Sequence, residues 1–179
     1  MSVELEEIRD FIAGFEPFIR LPKKELDALP SKMIMEYFRR GDVIIQHGQH
    51  NDYLRVIRSG AVDVLDEDGT LLDRREAGRS FGYSTMAKDP VSRYTMVAVE
   101  DSLVLSIPRD YVLALGERNP EMARYYSSWS KRIRVAAEQL RNESSSKVLR
   151  TRLGEFKINN PVSVGPETSI REAAQTMER

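Results

Sequence analysis

The 179-residue chain contains no cysteine, which excludes a disulfide scaffold, a thiolate metal site and a cysteine nucleophile. The lack fits a reducing compartment. Histidine is almost as scarce: His47 and His50 are the only two. Such a pair could serve a metal-dependent β-fold enzyme of cupin type, but a metal needs three or four converging ligands and no third is spaced for it. Both read as exposed turn residues. Nor can a Ser–His–acid set be assembled from two histidines on one loop. No glycine-rich dinucleotide or Walker-type loop occurs. No stretch approaches the roughly 18 apolar residues of a membrane span. The N-terminus, MSVELEEIRD, is acidic and lacks the apolar run of a secretory signal. The net charge of −1 gives no whole-chain attraction to nucleic acid or an anionic membrane. Together these absences predict a cytoplasmic protein that is not an enzyme and holds neither metal nor cofactor.

What is present divides the chain by texture. Val3, Leu5, Ile8, Phe11, Ile12 and Phe15 recur at helical spacing. A second short helix fits Pro22 to Ser31, with Leu26 and Leu29 on one face. From Met33 to Ile107 the chain breaks into short apolar or β-branched runs separated by Gly, Asp and Asn, the pattern of many short strands. Val62, Val64 and Asp66 alternate with Asp63, Leu65 and Glu67, and Asp68-Gly69 marks a hairpin turn. After Pro108, Tyr111, Val112 and Leu115 form the apolar face of a helix, and Asn119-Pro120 starts a much longer one. The expected organisation is N-terminal helices over residues 1–32, a β region over 33–107, C-terminal helices over 108–152 and a linker with a further fragment over 153–179.

Two segments carry a finer grammar. In RRGDVIIQHGQHNDYLRVIRSGAVDVL, glycines 41, 48 and 60 stand where strands must reverse. The later segment, GRSFGYSTMAKDPVSRYTMVAVEDSLVLSIP, holds a Phe-Gly step before a short polar stretch and two more strands. Over roughly residues 15–130 the chain resembles the cyclic nucleotide-binding domain family. The resemblance implies a mainly β fold with flanking helices (α+β), an antiparallel β-roll or jelly roll ending in a long C-terminal helix. It also implies a phosphate-binding cassette in which glycine N–H groups and a helix N-terminus receive a cyclic phosphate. There a Glu accepts from the ribose 2′-hydroxyl and an Arg pairs with the phosphate. Carried onto this chain, the ligand-binding residues are Phe81, Gly82, Tyr83, Ser84, Thr85, Arg93 and Tyr94. Tyr83 stands at the Glu position, and the phosphate position falls on Arg93 or, aligned on the following strand, on Ser92.

The final residues, NNPVSVGPETSIREAAQTMER, resemble the opening of a CBS domain. That arrangement resembles bacterial and archaeal signalling proteins that continue into a nucleotidyltransferase. Between Pro120 and Arg152 eight basic residues face three acidic ones, a pattern read as a solvated helix face. The residues after it offer no helix-turn-helix, which argues against DNA as a partner. Along the same helix Met122, Tyr126, Trp129, Ile133, Ala136 and Leu140 form a heptad seam, which predicts a homodimer. The function expected is a regulatory sensor in signal transduction with a nucleotide-like anion as effector. The alternatives are a degenerate domain used only for dimerisation and domain assembly, and the cupin-like enzyme.

Overall fold

A computed structural model describes the backbone of residues 3–150 and the side chains of residues 3–142 other than Thr85. The CBS-like tail lies outside the described residues. Contacts group residues 1–140 into one unit and 141–179 into another, of which the described part is the end of the long helix.

Two helices, α1 (Val3–Ala13) and α2 (Lys23–Ala28), lead into eight strands. These are β1 (Ile34–Phe38), β2 (Val43–Ile45), β3 (Tyr53–Ser59), β4 (Ala61–Leu65), β5 (Leu71–Glu76), β6 (Ser80–Phe81), β7 (Thr95–Ala98) and β8 (Ser102–Pro108). Helices α3 (Arg109–Arg118) and α4 (Pro120–Arg150) follow. The second helix is shorter than its pattern predicts, because Pro30 cannot donate a backbone N–H and opens a separate 3-10 turn, Pro30–Lys32.

The strands pair in two four-stranded antiparallel sheets, with orders β1-β8-β3-β6 and β2-β7-β4-β5. This corrects the expected roll: neither sheet closes, and no ladder joins one sheet to the other among the described residues. Closure needs every strand to carry a neighbour on both sides. The end strands β2 and β6 have only three and two residues, too few to build a second ladder. At the other ends β1 and β5 leave Met35, Tyr37 and Leu71 exposed.

Burial follows from the layers. Ile57, Val62, Val64, Phe81, Met96 and Val104 from both sheets form one apolar cluster between them. Leu54, Val56, Leu105 and Ile107, on the other face of the first sheet, pack with Ile12, Leu29, Val112, Leu115, Met122 and Tyr126 from the helical segments. Strand β3 is therefore buried at four consecutive positions, Leu54 to Ile57, as a strand covered on both faces must be. Each fully buried side chain of this size contributes about 1.5–3 kcal/mol. The hairpin at Asp68-Gly69 forms as the sequence predicts, with the Asp66 amide donating to the Thr70 carbonyl at 2.9 Å.

Helix α4 uses its seam on its own chain. Met122, Tyr126 and Ile133 are buried within the monomer, but the next buried position is Ala137 and not Ala136, and Leu140 stays 38% exposed. A straight helix drifts by about 20° per heptad, so a seven-residue repeat rotates progressively away from a fixed buried face.

Two turn glycines make the packing testable. Gly60 has φ +89°, and a β-carbon there would collide with the Ser102 hydroxyl and lie 2.7 Å from the Asp101 carbonyl oxygen. Gly41 has φ +93° and open space around it. Gly41→Ala should cost only the left-handed backbone penalty, about 1 kcal/mol. Gly60→Ala should cost about 3 kcal/mol or more in urea unfolding, because strain and collision add. Equal losses would refute the assigned packing.

Candidate functional site

The Phe-Gly step builds the floor of a cavity. Gly82 holds φ +81°, and a β-carbon there would lie 2.8 Å from the Tyr53 carbonyl oxygen, so no other residue brings the chain this close to β3. Asn51 pins the turn from below: its Nδ2 donates to the Gly82 carbonyl at 2.9 Å and to the Ser84 hydroxyl at 3.3 Å. Its Oδ1 accepts from Arg55 Nη1 at 2.8 Å. Arg55 is held inside the layers near Glu36, at 3.7 Å, and burial lowers its pKa against the pull of that carboxylate. A 3-10 turn, Tyr83–Met86, then leads away from Gly82.

Above this floor lies a cavity of about 400 Å³, walled by the turn, by β4 to β7 and by α4. Of the residues expected to bind ligand, Phe81, Gly82, Tyr83, Ser84, Arg93 and Tyr94 all border it; the Thr85 side chain lies outside the described residues. Their roles differ. Phe81 is core, packed with Val62 and Val64. Ser84 is tied to Asn51. Arg93 is exposed at the rim, whereas Ser92 is buried and donates its hydroxyl to the Tyr94 carbonyl at 2.8 Å. Tyr94 is half-buried and borders the cavity.

Tyr83 does not point a free hydroxyl into this space. It donates to the Ser80 carbonyl oxygen at 2.7 Å and accepts from Arg75 Nη1. Its ring lies 5.1 Å from that of Tyr126, whose hydroxyl meets the Ser80 hydroxyl at 3.1 Å. Burial pushes the Tyr83 phenol up to about 12, the neighbouring Arg75 charge opposing it. Burial raises Tyr126 too, against its bond to Ser80.

Arg75 is the residue that sequence reasoning missed. Only 1% exposed, it also donates to the Ser80 carbonyl at 2.8 Å and pairs with Asp73 at 3.0 Å. Its guanidinium lies over the rings of Tyr83 at 5.1 Å and Trp129 at 5.3 Å. The hairpin register places it there: Arg75 faces Val62 and Asp73 faces Val64, and both valines point inward. Residues directly opposite share a face of the sheet, so the only available signal was a count across the turn. A β-bulge between Val64 and Leu65 shifts that count by one, and an unshifted count puts Arg74 inside instead. Arg74 actually points out and grips Asp63 with two bonds, at 2.6 and 3.0 Å. Lys131 and Arg134 of α4, read from sequence as a solvated face, border the same cavity.

His47 and His50 are exposed, and His50 pairs with Asp52 at 3.0 Å. Among the described residues no group of three or more potential metal ligands converges, and no helix is long and apolar enough to cross a membrane.

Residues 35–119 match the family described as the cyclic nucleotide-binding domain. Over 111 residues the chain is 26% identical to a cGMP-dependent protein kinase of Eimeria tenella, covering 61% of this chain but only 11% of the kinase. Among solved structures, PKAR CBD2 with bound Sp-2Cl-cAMPS aligns with a TM-score of 0.65 at 17% identity, over 76% of this chain and 90% of the other. The regulatory domain of Toxoplasma gondii PKA, co-crystallised with cAMP, aligns with a TM-score of 0.58 at 17% identity, over 64% and 45%. The chain thus aligns with 11% of the Eimeria kinase's length and shares its fold with a domain described as regulatory in the Toxoplasma protein. The match ends at residue 119, so neither the CBS reading of the tail nor a nucleotidyltransferase continuation gains support.

The buried phenols give a pH test. The folded chain holds the Tyr83 proton to about pH 12, whereas an unfolded chain releases it near 10. Stability should therefore be unaffected by this group below pH 10 and fall as pH rises from 10 to 12. In a phenolate absorbance titration, two of the seven tyrosines should ionise last, and Tyr83→Phe and Tyr126→Phe should each remove one late step. Seven ordinary titrations would contradict the burial.

Proposed function

We propose that the cyclic-nucleotide-binding-like regulatory domain formed by residues 35–119 senses a nucleotide-like anion in the cavity between the Gly82 turn and α4. One observation carries this reading. Four cationic side chains, Arg75, Arg93, Lys131 and Arg134, border a cavity that holds one carboxylate, Asp89, among its lining residues. A half-enclosed, partly apolar space focuses such a field and attracts an anion of small-molecule size. The Gly82 turn supplies close backbone approach, and the ring of Tyr94 supplies a surface for a planar base.

The effector differs from that of the solved relatives. In the family the ribose hydroxyl is read by a carboxylate. Here that position is Tyr83, whose hydroxyl already serves Ser80 and Arg75. Losing a charge-assisted bond costs about 1.5–3 kcal/mol, or roughly ten- to hundredfold in affinity.

Output would pass through α4. Ser127, Ser130, Lys131, Ile133 and Arg134 of that helix border the cavity, so an anion drawn to Lys131 and Arg134 biases the helix relative to the turn. The available coupling is about 1–3 kcal/mol, the usual range between two sites. Among the described residues of α4, Val135 and Leu140 are the large apolar side chains left exposed, and pairing of two copies there would draw on them.

A thermal-shift panel of cyclic and linear purine nucleotides on the 179-residue chain tests the reading. A true effector at about 100 times its dissociation constant should add about 2.7 kcal/mol of stability. Cyclic AMP should bind more weakly than micromolar by calorimetry. If no nucleotide stabilises the chain, the domain serves assembly alone and the sensor reading fails.

A further inference from the structure

The charge of the cavity exceeds what a cyclic phosphodiester needs. Such a ligand carries one negative charge, whereas a phosphomonoester carries about −1.5 to −2 at neutral pH because its second pKa lies near 6. We infer that the cavity selects a phosphomonoester dianion, a linear nucleoside monophosphate, over a cyclic nucleotide, and that Arg75 is its innermost anion contact. The inference rests on the sensor reading above and adds the chemical class of the ligand.

Arg75 carries the argument because it is built in. It is 1% exposed, yet it borders the cavity. Its Nη1 is occupied by Ser80 and Tyr83. Its Nε and Nη2 have no hydrogen-bond acceptor among the described residues, although Nη2 lies within ion-pair distance of Asp73, at 3.0 Å. Buried donors are rarely left unmatched in native proteins, and a phosphoryl oxygen is the acceptor that a guanidinium fork matches best. The cations that remain are spaced around it. Arg93 comes from the loop before β7 and Lys131 from α4, both exposed, and Arg134 sits beside Glu138 at 4.0 Å. A third phosphoryl oxygen, absent from a cyclic diester, gives these rim cations a second target.

Substitution at position 83 fits the same ligand. A linear nucleotide whose phosphate dominates recognition does not depend on a carboxylate at the ribose. Here the Tyr83 hydroxyl is spent holding Arg75 in place, with Trp129 over the guanidinium from the α4 side. Arg79 and Arg132 also flank that indole, at 4.7 and 5.4 Å.

The test uses the ligand's own ionisation. No histidine borders the cavity, so a change between about pH 5.5 and 7.5 reports chiefly on the ligand's second proton, with pKa about 6. Calorimetry on the 179-residue chain would compare 5′-AMP with cyclic AMP at both pH values. The expected result is 5′-AMP binding about tenfold or more tighter than cyclic AMP at the higher pH. Its affinity should rise by about fourfold across the interval while that of cyclic AMP stays level. Arg75→Met should abolish the difference between the two ligands; if that variant does not fold, the comparison on the unmodified chain decides alone. Cyclic AMP binding as tightly as 5′-AMP, or a 5′-AMP affinity flat in pH, overturns this inference and leaves the sensor reading standing. Binding of neither ligand at millimolar concentration overturns this inference as well, and the sensor reading falls with it if the rest of the purine nucleotide panel also fails to bind.

Discussion

The buried guanidinium of Arg75 is the constraint on which the rest of the site depends. A charge taken out of water must be compensated by partners held in place. Here the compensation draws on four elements around the cavity. Asp73 comes from the same strand, the Ser80 carbonyl from the next, the Tyr83 hydroxyl from the turn and the Trp129 ring from α4. The turn, the second sheet and the helix are thus joined at one side chain. Moving any of them exposes or unpairs a cation, which gives the site its preorganised shape.

A second polar system supports the turn from the opposite side. Asn51 links the Gly82 carbonyl to Arg55, and Arg55 lies near Glu36 on β1, whose carboxylate accepts from the Ser106 hydroxyl. Two arginines therefore lie within the layers, one beneath the turn and one behind it. Both keep an Nε without an acceptor; what separates them is place, since Arg75 borders the cavity and Arg55 does not.

The departures from the family pattern fit this arrangement. Tyr83 does not replace a carboxylate function for function; it fills the space, buries its ring against Tyr126 and hands its hydroxyl to Arg75. Ser92, the alternative at the phosphate position, closes back on the Tyr94 carbonyl. Besides Arg93 of the loop, the cations that border the pocket come from β5 and α4.

Much of this was legible in the sequence, and the legible part is local. Alternation at Val62, Val64 and Asp66, the Asp68-Gly69 turn, the strand-reversing glycines and the Phe81-Gly82 step all follow from side-chain period and backbone sterics. These act between near neighbours and are the same in any fold. Three things were decided only by tertiary structure. Whether two open sheets close depends on edge strands far apart in sequence, and the short β2 and β6 keep them apart. Which face of α4 is buried depends on a straight helix meeting a fixed sheet, so Ala137 goes in where a heptad put Ala136. Which of two adjacent arginines lies inside depends on one bulged residue in the β4–β5 ladder. A one-residue slip turns every side chain to the other face, so the composition of the candidate site hinges on a register that no local pattern records.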